Sequence, residues 1–478
     1  MSLLSHKSGD TAVREMTYQE LIGRPTWAPL MVPREAWSEV DDALFGPQDL
    51  FNVEKAEAER LRLRAIQRSL RYHFEMNPFY RALCKDRGFK PEDVKTVEDL
   101  RKVPLIPESI FKGCRGPSEF LQWLEGLGPE DLEYPPVHDQ SSYDSTIDEL
   151  QNSGITVTYS SGTSGKFTFV PHDDLTWKRA RYAIGIGGFQ MIPLYFELMS
   201  SAENCNALLL MPDPSRTHLF MARVSGAAMD FFPHAKVHPA MSRTLSTRVL
   251  SLSQGRARGL RDRVLARIMR RIATRSAAKA DDQMIELMKN LGREHRGGVL
   301  GGPPFWFARI LSKIEELVGS LSLGDKWVAI TGGGWKMAEL ARIPEKEFRE
   351  RVSRTLGIPQ SNIRDLYSMS ECSVPFPSCE GHYKHIPSTV LQPFILDEDL
   401  EPVSYGVTGR FAFLDPLARS YPGFIIMSDR ARILEHCPAC SRPGPVLDPE
   451  ITRMPGVDDR GCAGVMRRFV EGETKSRP

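Results

Sequence analysis

Apolar and polar positions follow several rhythms along the chain. Over 53–74, Leu61, Ala65, Ile66 and Leu70 recur at turn spacing among many charges, which predicts an amphipathic helix. Within 151–171 the runs "ITVTY" and "FTFVP", rich in β-branched and aromatic residues, flank a stretch of small residues and predict a hairpin. "NALLLMPD" has the continuous apolar pattern of a buried strand entering a turn. "KWVAITGGGWK" and "IRDLYSMSE" each predict a strand leaving into a loop of small or polar residues, the place where open α/β sheets bind their ligands.

A different pattern occupies 242–275, which holds ten arginines and one acid, Asp262. There Leu260, Val264, Ile268 and Ile272 form an i, i+4 stripe, so a basic amphipathic helix is expected. Such a helix would meet an acidic or phosphate-bearing partner, or is simply a solvated face. After "GFIIMSDRARIL" the chain turns rich in Pro, Gly, Cys and Arg, which predicts a boundary near Asp429. The expected organisation is a helical lead-in over 1–125, a core over 126–428 and a short terminal domain over 429–478. No internal repeat is visible.

Composition narrows the class. At 478 residues, with 41% hydrophobic and 26% charged positions, the chain is long enough for two or three domains around a large core. Its 62 basic and 61 acidic residues nearly cancel, so no global field draws it to nucleic acid or to a membrane. The opening "MSLLSHKSGDTAV" lacks an apolar secretory core, and no run reaches the roughly 20 apolar residues of a membrane span. A cytoplasmic protein is expected. The eight cysteines are too thinly spread for a disulfide framework, and five lie beyond position 371, pointing to a metal or a reactive thiol there.

The stretch "YSSGTSGKFT" offers backbone N–H groups, hydroxyls and one ammonium at close quarters, the chemistry that grips phosphate. It is not a Walker loop. Phe167 follows Gly165-Lys166 where that motif needs a hydroxyl, Ser160 stands at its first glycine, and a strand rather than a helix comes next. A hairpin loop of this kind would wrap phosphates with Ser160, Ser161, Gly162, Thr163, Ser164 and Gly165, with Lys166 supplying charge. Read alone, it is equally a solvated turn.

Five motifs in order resemble the adenylate-forming (acyl-AMP) ligase superfamily, in the variant of the phenylacetate–CoA ligases and LuxE-type acyl-protein synthetases. They are "YSSGTSGKFT", "TGGGWK" at 331–336, "LYSMSE" at 366–371, "MSDRA" around Asp429 and "TRMPG" at 452–456. The lead-in "NPFYRALCKDRGFKPEDVKTVEDLRKVPLIPESIFK" is similar too. The resemblance implies an α/β adenylation core of several sheets flanked by helices, with a short C-terminal lid. It also implies ATP and Mg2+ as cofactors and a carboxylic acid, aryl or fatty acyl, as substrate. Glu371 would hold magnesium, Ser370 would touch the α-phosphate and Tyr367 would stack on adenine. Gly332, Gly333 and Gly334 would admit the base, Asp429 would accept the ribose hydroxyls and Arg453 would sit beside the nucleotide.

Three further groups carry expectations. In "GGPPFWFARIL", Phe305, Trp306 and Phe307 stand where similar enzymes line the acid pocket; core packing is the alternative. Cys379, His385, Cys437 and Cys440 make a plausible tetrahedral zinc set, with His382 and His436 as competing ligands and reduced core thiols as the other reading. In LuxE-like enzymes a cysteine near the carboxyl terminus takes the acyl group, and Cys462, in "DDRGCAGVMRR", is the candidate for it here outside the zinc set. Arg460, Arg467 and Arg468 beside it would favour the thiolate; a buried structural thiol is the alternative.

Forty-nine residues follow Asp429, and their sole lysine is Lys475 in a polar tail. The superfamily's late lid lysine is therefore not carried over. The expected function is activation of a carboxylic acid as its acyl-adenylate, then transfer to a thiol on Cys462, on a carrier protein or on CoA. The alternatives are an acid–CoA or amide-forming ligase, and a nucleotide-binding scaffold without catalysis.

Overall fold

Glycine decides how closely the central strands approach. Gly298 packs so tightly that a Cβ there would lie 2.2 Å from the Asn206 carbonyl oxygen and 2.9 Å from the Trp327 ring. A computed structural model describes residues 26–454 except 115, 162–166, 193, 195–196, 199–204, 233, 254–259 and 336–341. In chain order, the first strands are β1 (Ile106–Pro107) and the hairpin β2 (Thr156–Ser161) and β3 (Phe167–His172). The hairpin is in register from Thr156↔His172 to Ser161↔Phe167, as its sequence predicts.

A six-stranded sheet follows, built from β4 (Asn206–Pro212), β5 (Lys236–Met241), β6 (Gly298–Gly302), β7 (Trp327–Gly332), β8 (Ile363–Tyr367) and β9 (Phe376–Pro377). Its order is β5-β4-β6-β7-β8-β9, parallel except for β9. Helices Phe220–Met229, Leu260–Arg293, Pro304–Val318 and Glu345–Leu356 link successive strands, and β4 and β6 are buried throughout. Buried parallel strands read as unbroken apolar runs, which is why "NALLLMPD" is legible as one.

A second, seven-stranded sheet contains β10 (Lys384–His385), β11 (Gln392–Leu396), β12 (Thr408–Leu414), β13 (Phe424–Leu434), β14 (Val446–Leu447) and β15 (Thr452–Arg453), with β1. Here β1 runs parallel to β13 through Ile106↔Ile425, and β15 pairs back through Asp429↔Arg453.

This sheet corrects the organisation read from composition. The boundary expected near Asp429 falls inside the eleven-residue strand β13, whose residues 424–429 are buried. The Pro/Gly/Cys texture of residues 435–445 instead belongs to the connection between β13 and β14 of the same sheet. Nor is the lead-in set apart, since β1 and the 3-10 helix Glu108–Lys112 insert against β13. The helix predicted over 53–74 spans Lys55–Met76 and buries Ala65, Ile66 and Leu70, with Leu61 partly buried.

Candidate active site

The carboxyl ends of β7 and β8 lie side by side because Gly332 pairs with Leu366, bringing the glycine loop next to Tyr367. Gly333 and Gly334 take φ values of 81° and 65°, a left-handed conformation that side chains strain to adopt. Tyr367 is held by rings on two sides, Phe376 at 5.7 Å and Phe411 at 6.4 Å. Its hydroxyl donates to Asp429 Oδ2 at 2.6 Å, so β8 of one sheet is joined to β13 of the other. Burial, with the Asp429 charge adding to it, pushes the Tyr367 phenol well above its usual value and keeps it a donor.

Asp429 is 4% exposed, and its other oxygen faces Arg453 Nε at 3.2 Å across the β13–β15 pairing. Arg453 Nη1 also lies 3.7 Å from Glu108. The Glu108 carboxylate accepts from Ser428 Oγ at 2.8 Å and Ser428 N at 3.3 Å, and pairs with Lys112 Nζ at 2.7 Å. Burial alone would raise the Glu108 pKa, but Lys112 and Arg453 outweigh it and hold the acid below its ordinary value.

Ser370 and Glu371 follow Tyr367 and are both buried, with the Ser370 hydroxyl donating to Glu371 Oε2 at 2.9 Å. Burial and then the Glu108 charge push the Glu371 pKa up. Tyr421 ties this loop to the hairpin and the lead-in. Its hydroxyl reaches the Glu371 carbonyl at 3.5 Å, while its ring meets Phe111 at 5.2 Å and His172 of β3 at 6.1 Å. Glycine loop, Tyr367, Glu371, Asp429 and Arg453 thus gather beside the base of the hairpin. Of the expected phosphate loop, Ser160 and Ser161 close the β2 strand; Gly162, Thr163, Ser164, Gly165 and Lys166 lie outside the described residues, as does Cys462.

A buried carboxylate beside a second acid suits a hard divalent cation with oxygen ligands, so Glu371 fits magnesium chemically. Glu108, Lys112 and Ser428 carry no sequence signal of this role. "PESIFK" reads as a proline-punctuated connection, and an acid and a lysine four apart are common on any exposed turn. Only the pairing of β1 with β13 reveals where they point.

Phe305, Trp306 and Phe307 are 5%, 0% and 1% exposed and belong to the core. Trp306 donates to Asp281 at 3.0 Å, and the Phe307 ring meets Phe348 at 6.1 Å. Trp306 and Phe307 therefore pack against helices.

A separate cluster gathers Cys379, His385, Cys437 and Cys440, whose ligand atoms all lie within 4.8 Å of one another. Cys379 Sγ is 3.7 Å from Cys437 Sγ, and Cys440 Sγ is 3.3 Å from His385 Nε2. Around zinc at ordinary bond lengths, tetrahedral edges of about 3.8 Å and about 3.5 Å are expected, so donor set and spacing both fit. Burial, helped by the Arg442 charge, holds His385 down to about 4, leaving its imidazole neutral. The competing ligands point elsewhere: His382 Nδ1 lies 3.1 Å from Glu345, and His436 is exposed beside Glu435.

Residues 273–470 match the family model described as acyl-protein synthetase, LuxE. The long-chain-fatty-acid–luciferin-component ligase of Vibrio harveyi is 22% identical over 434 residues, covering 90% of this chain and 93% of that protein. Its counterpart from Aliivibrio fischeri is 21% identical over 444 residues, covering 92% and 96%. Among solved structures, 2-hydroxyisobutyryl-CoA ligase in an open conformation aligns with a TM-score of 0.55 at 16% identity, covering 89% of this chain and 76% of that one. The fold is that of the adenylate-forming ligases. Over residues 273–470 the chain is similar to the LuxE-type acyl-protein synthetases, and it is an ATP-dependent acyl ligase. Among the described residues no helix is long and apolar enough to cross a membrane.

Proposed function

We propose that the protein activates a long-chain fatty acid with ATP and passes the acyl group to a thiol, with its own Cys462 as first acceptor. The observation that carries the reading is the joining of Tyr367, Asp429 and Arg453 across two sheets, next to Glu371 and the glycine loop. The fatty acyl chain rests on the names of the two luminescence ligases, which match over nearly their whole length.

In the first step a carboxylate oxygen attacks the α-phosphorus of ATP, the bond to the bridging oxygen breaks and pyrophosphate leaves. In the second the thiol sulfur attacks the acyl carbon, loses its proton and expels AMP. Both steps depend on alignment and on neutralising phosphate charge. Asp429 is acceptor-only, which suits the ribose hydroxyls, and Tyr367 holds its orientation. The glycine loop lets backbone approach the base, while Ser370 offers a hydroxyl to the α-phosphate. Glu371 would hold magnesium, which when bound offsets phosphate charge. Cys379, His385, Cys437 and Cys440 would hold a structural zinc ion.

Pyrophosphate release with a panel of acids, followed by intact mass of the protein with and without Cys462→Ala, tests the reading. A mass increase of one acyl group on the parent and none on the variant is expected. An increase that survives the substitution would exclude Cys462 as acceptor.

A further inference from the structure

The helix Leu260–Arg293 has two unlike halves. From Ala277 onward it buries Ala277, Asp281, Met284, Met288 and Leu291. Asp281 pins that half by accepting from Trp306 at 3.0 Å and pairing with Arg309 at 2.7 Å, while Lys313 reaches Asp282 at 2.7 Å. In the other half Val264, Leu265 and Ile268 are 54%, 38% and 50% exposed.

These apolar side chains are not a continuation of the buried stripe. At about 100° per residue, Asp281, Met284, Met288 and Leu291 fall within about 40° of Ala277, whereas Val264, Leu265 and Ile268 fall about 120–180° away. The first half thus turns these three apolar side chains away from the core. Arg261, Arg263, Arg267 and Arg275 are exposed around it, within a stretch of ten arginines against one acid in a chain that is otherwise nearly neutral. Two copies of so basic a surface repel each other, so the charge argues against self-association.

We propose that this half-helix is a peripheral docking face for an anionic phospholipid surface. Its three apolar side chains would enter the headgroup boundary while the arginines meet lipid phosphates. Arginine stems long enough to snorkel allow both at once. The proposal rests on the fatty acyl reading above, since a long-chain acid partitions into bilayers and is met there.

The test is co-sedimentation of the full chain with vesicles of phosphatidylcholine alone or with a quarter of phosphatidylglycerol. Binding to the anionic vesicles only, weakening as salt rises, is expected. Reversing Arg261, Arg263 and Arg267 to glutamate should lower partitioning by at least about tenfold, and Val264→Ser with Ile268→Ser should lower it too. Pyrophosphate release with a water-soluble acid should be unchanged in these variants, because they are exposed positions outside the candidate site. Equal sedimentation of parent and variants, or no sedimentation with anionic vesicles, would overturn the proposal. So would salt-sensitive dimers, or capture of an acidic protein, without vesicle binding. Loss of acid activation alongside intact vesicle binding would count against the fatty acyl reading and leave the docking face standing.

Discussion

The Tyr367 hydroxyl lies 2.6 Å from Asp429 Oδ2 although sixty-two residues separate them along the chain. One bond therefore joins β8, the neighbour of the strand that ends at the glycine loop, with β13, the strand that meets Arg453. Tyr367→Phe keeps the ring for stacking and removes only this bond. About 1 kcal/mol should be lost, read as a roughly fivefold rise in KM for ATP with kcat little changed.

Glu108 tests whether the lead-in takes part in the site. Glu108→Gln leaves Lys112 and Arg453 facing a neutral amide and weakens the hold on Ser428, the neighbour of Asp429. A loss of about 3 kcal/mol in unfolding free energy is expected, with KM for ATP rising. An unchanged KM would confine Glu108 to a structural role.

Asp41 sets a pH dependence away from the site. Its carboxylate is 1% exposed and takes two bonds of 2.8 Å from Arg179. Burial alone would raise its pKa, but Arg179 and Ser38 bring it below the ordinary value of 3.8. A depressed acid adds stability that is fully present above its unfolded pKa and is lost as pH falls through the folded value. Thermal unfolding of the parent should therefore weaken below about pH 4, and Asp41→Asn should flatten that acid limb while costing about 3–5 kcal/mol at neutral pH. An identical acid limb in the variant would remove Asp41 as its source.

The cysteine cluster is linked to Tyr367 by chain geometry. Phe376 is the strand partner of Tyr367, and Cys379 follows three residues later. Metal analysis should give about one zinc per chain, and Cys437→Ala should lower the melting temperature by more than about 5 °C. Less than about a tenth of an equivalent in purified protein would eliminate the structural zinc.

Much of the fold and of the nucleotide cluster is legible in the amino-acid sequence, for physical reasons. Strands such as β4 and β7 are buried on both faces, and the loops after β7 and β8 carry the glycines and acids expected at the ligand end of such a sheet. The hairpin too is written in its flanking β-branched residues. What escapes the sequence are relations set by sheet pairing. That β13 runs through Asp429, that β1 lays Glu108 beside Ser428, and that His385 rather than His382 meets the thiols depends on contacts between distant segments. Phe305, Trp306 and Phe307 stay open for the opposite reason, because an aromatic run has the same composition in a pocket wall as in a core.

Acid-dependent exchange of pyrophosphate into ATP, run across straight-chain acids of increasing length, tests the central claim most directly. Exchange should rise toward long chains and fall by at least about 100-fold with Asp429→Ala, which removes the charged acceptor of two ribose hydroxyls. ATP binding without exchange for any acid would contradict the account and leave a nucleotide-binding scaffold in its place.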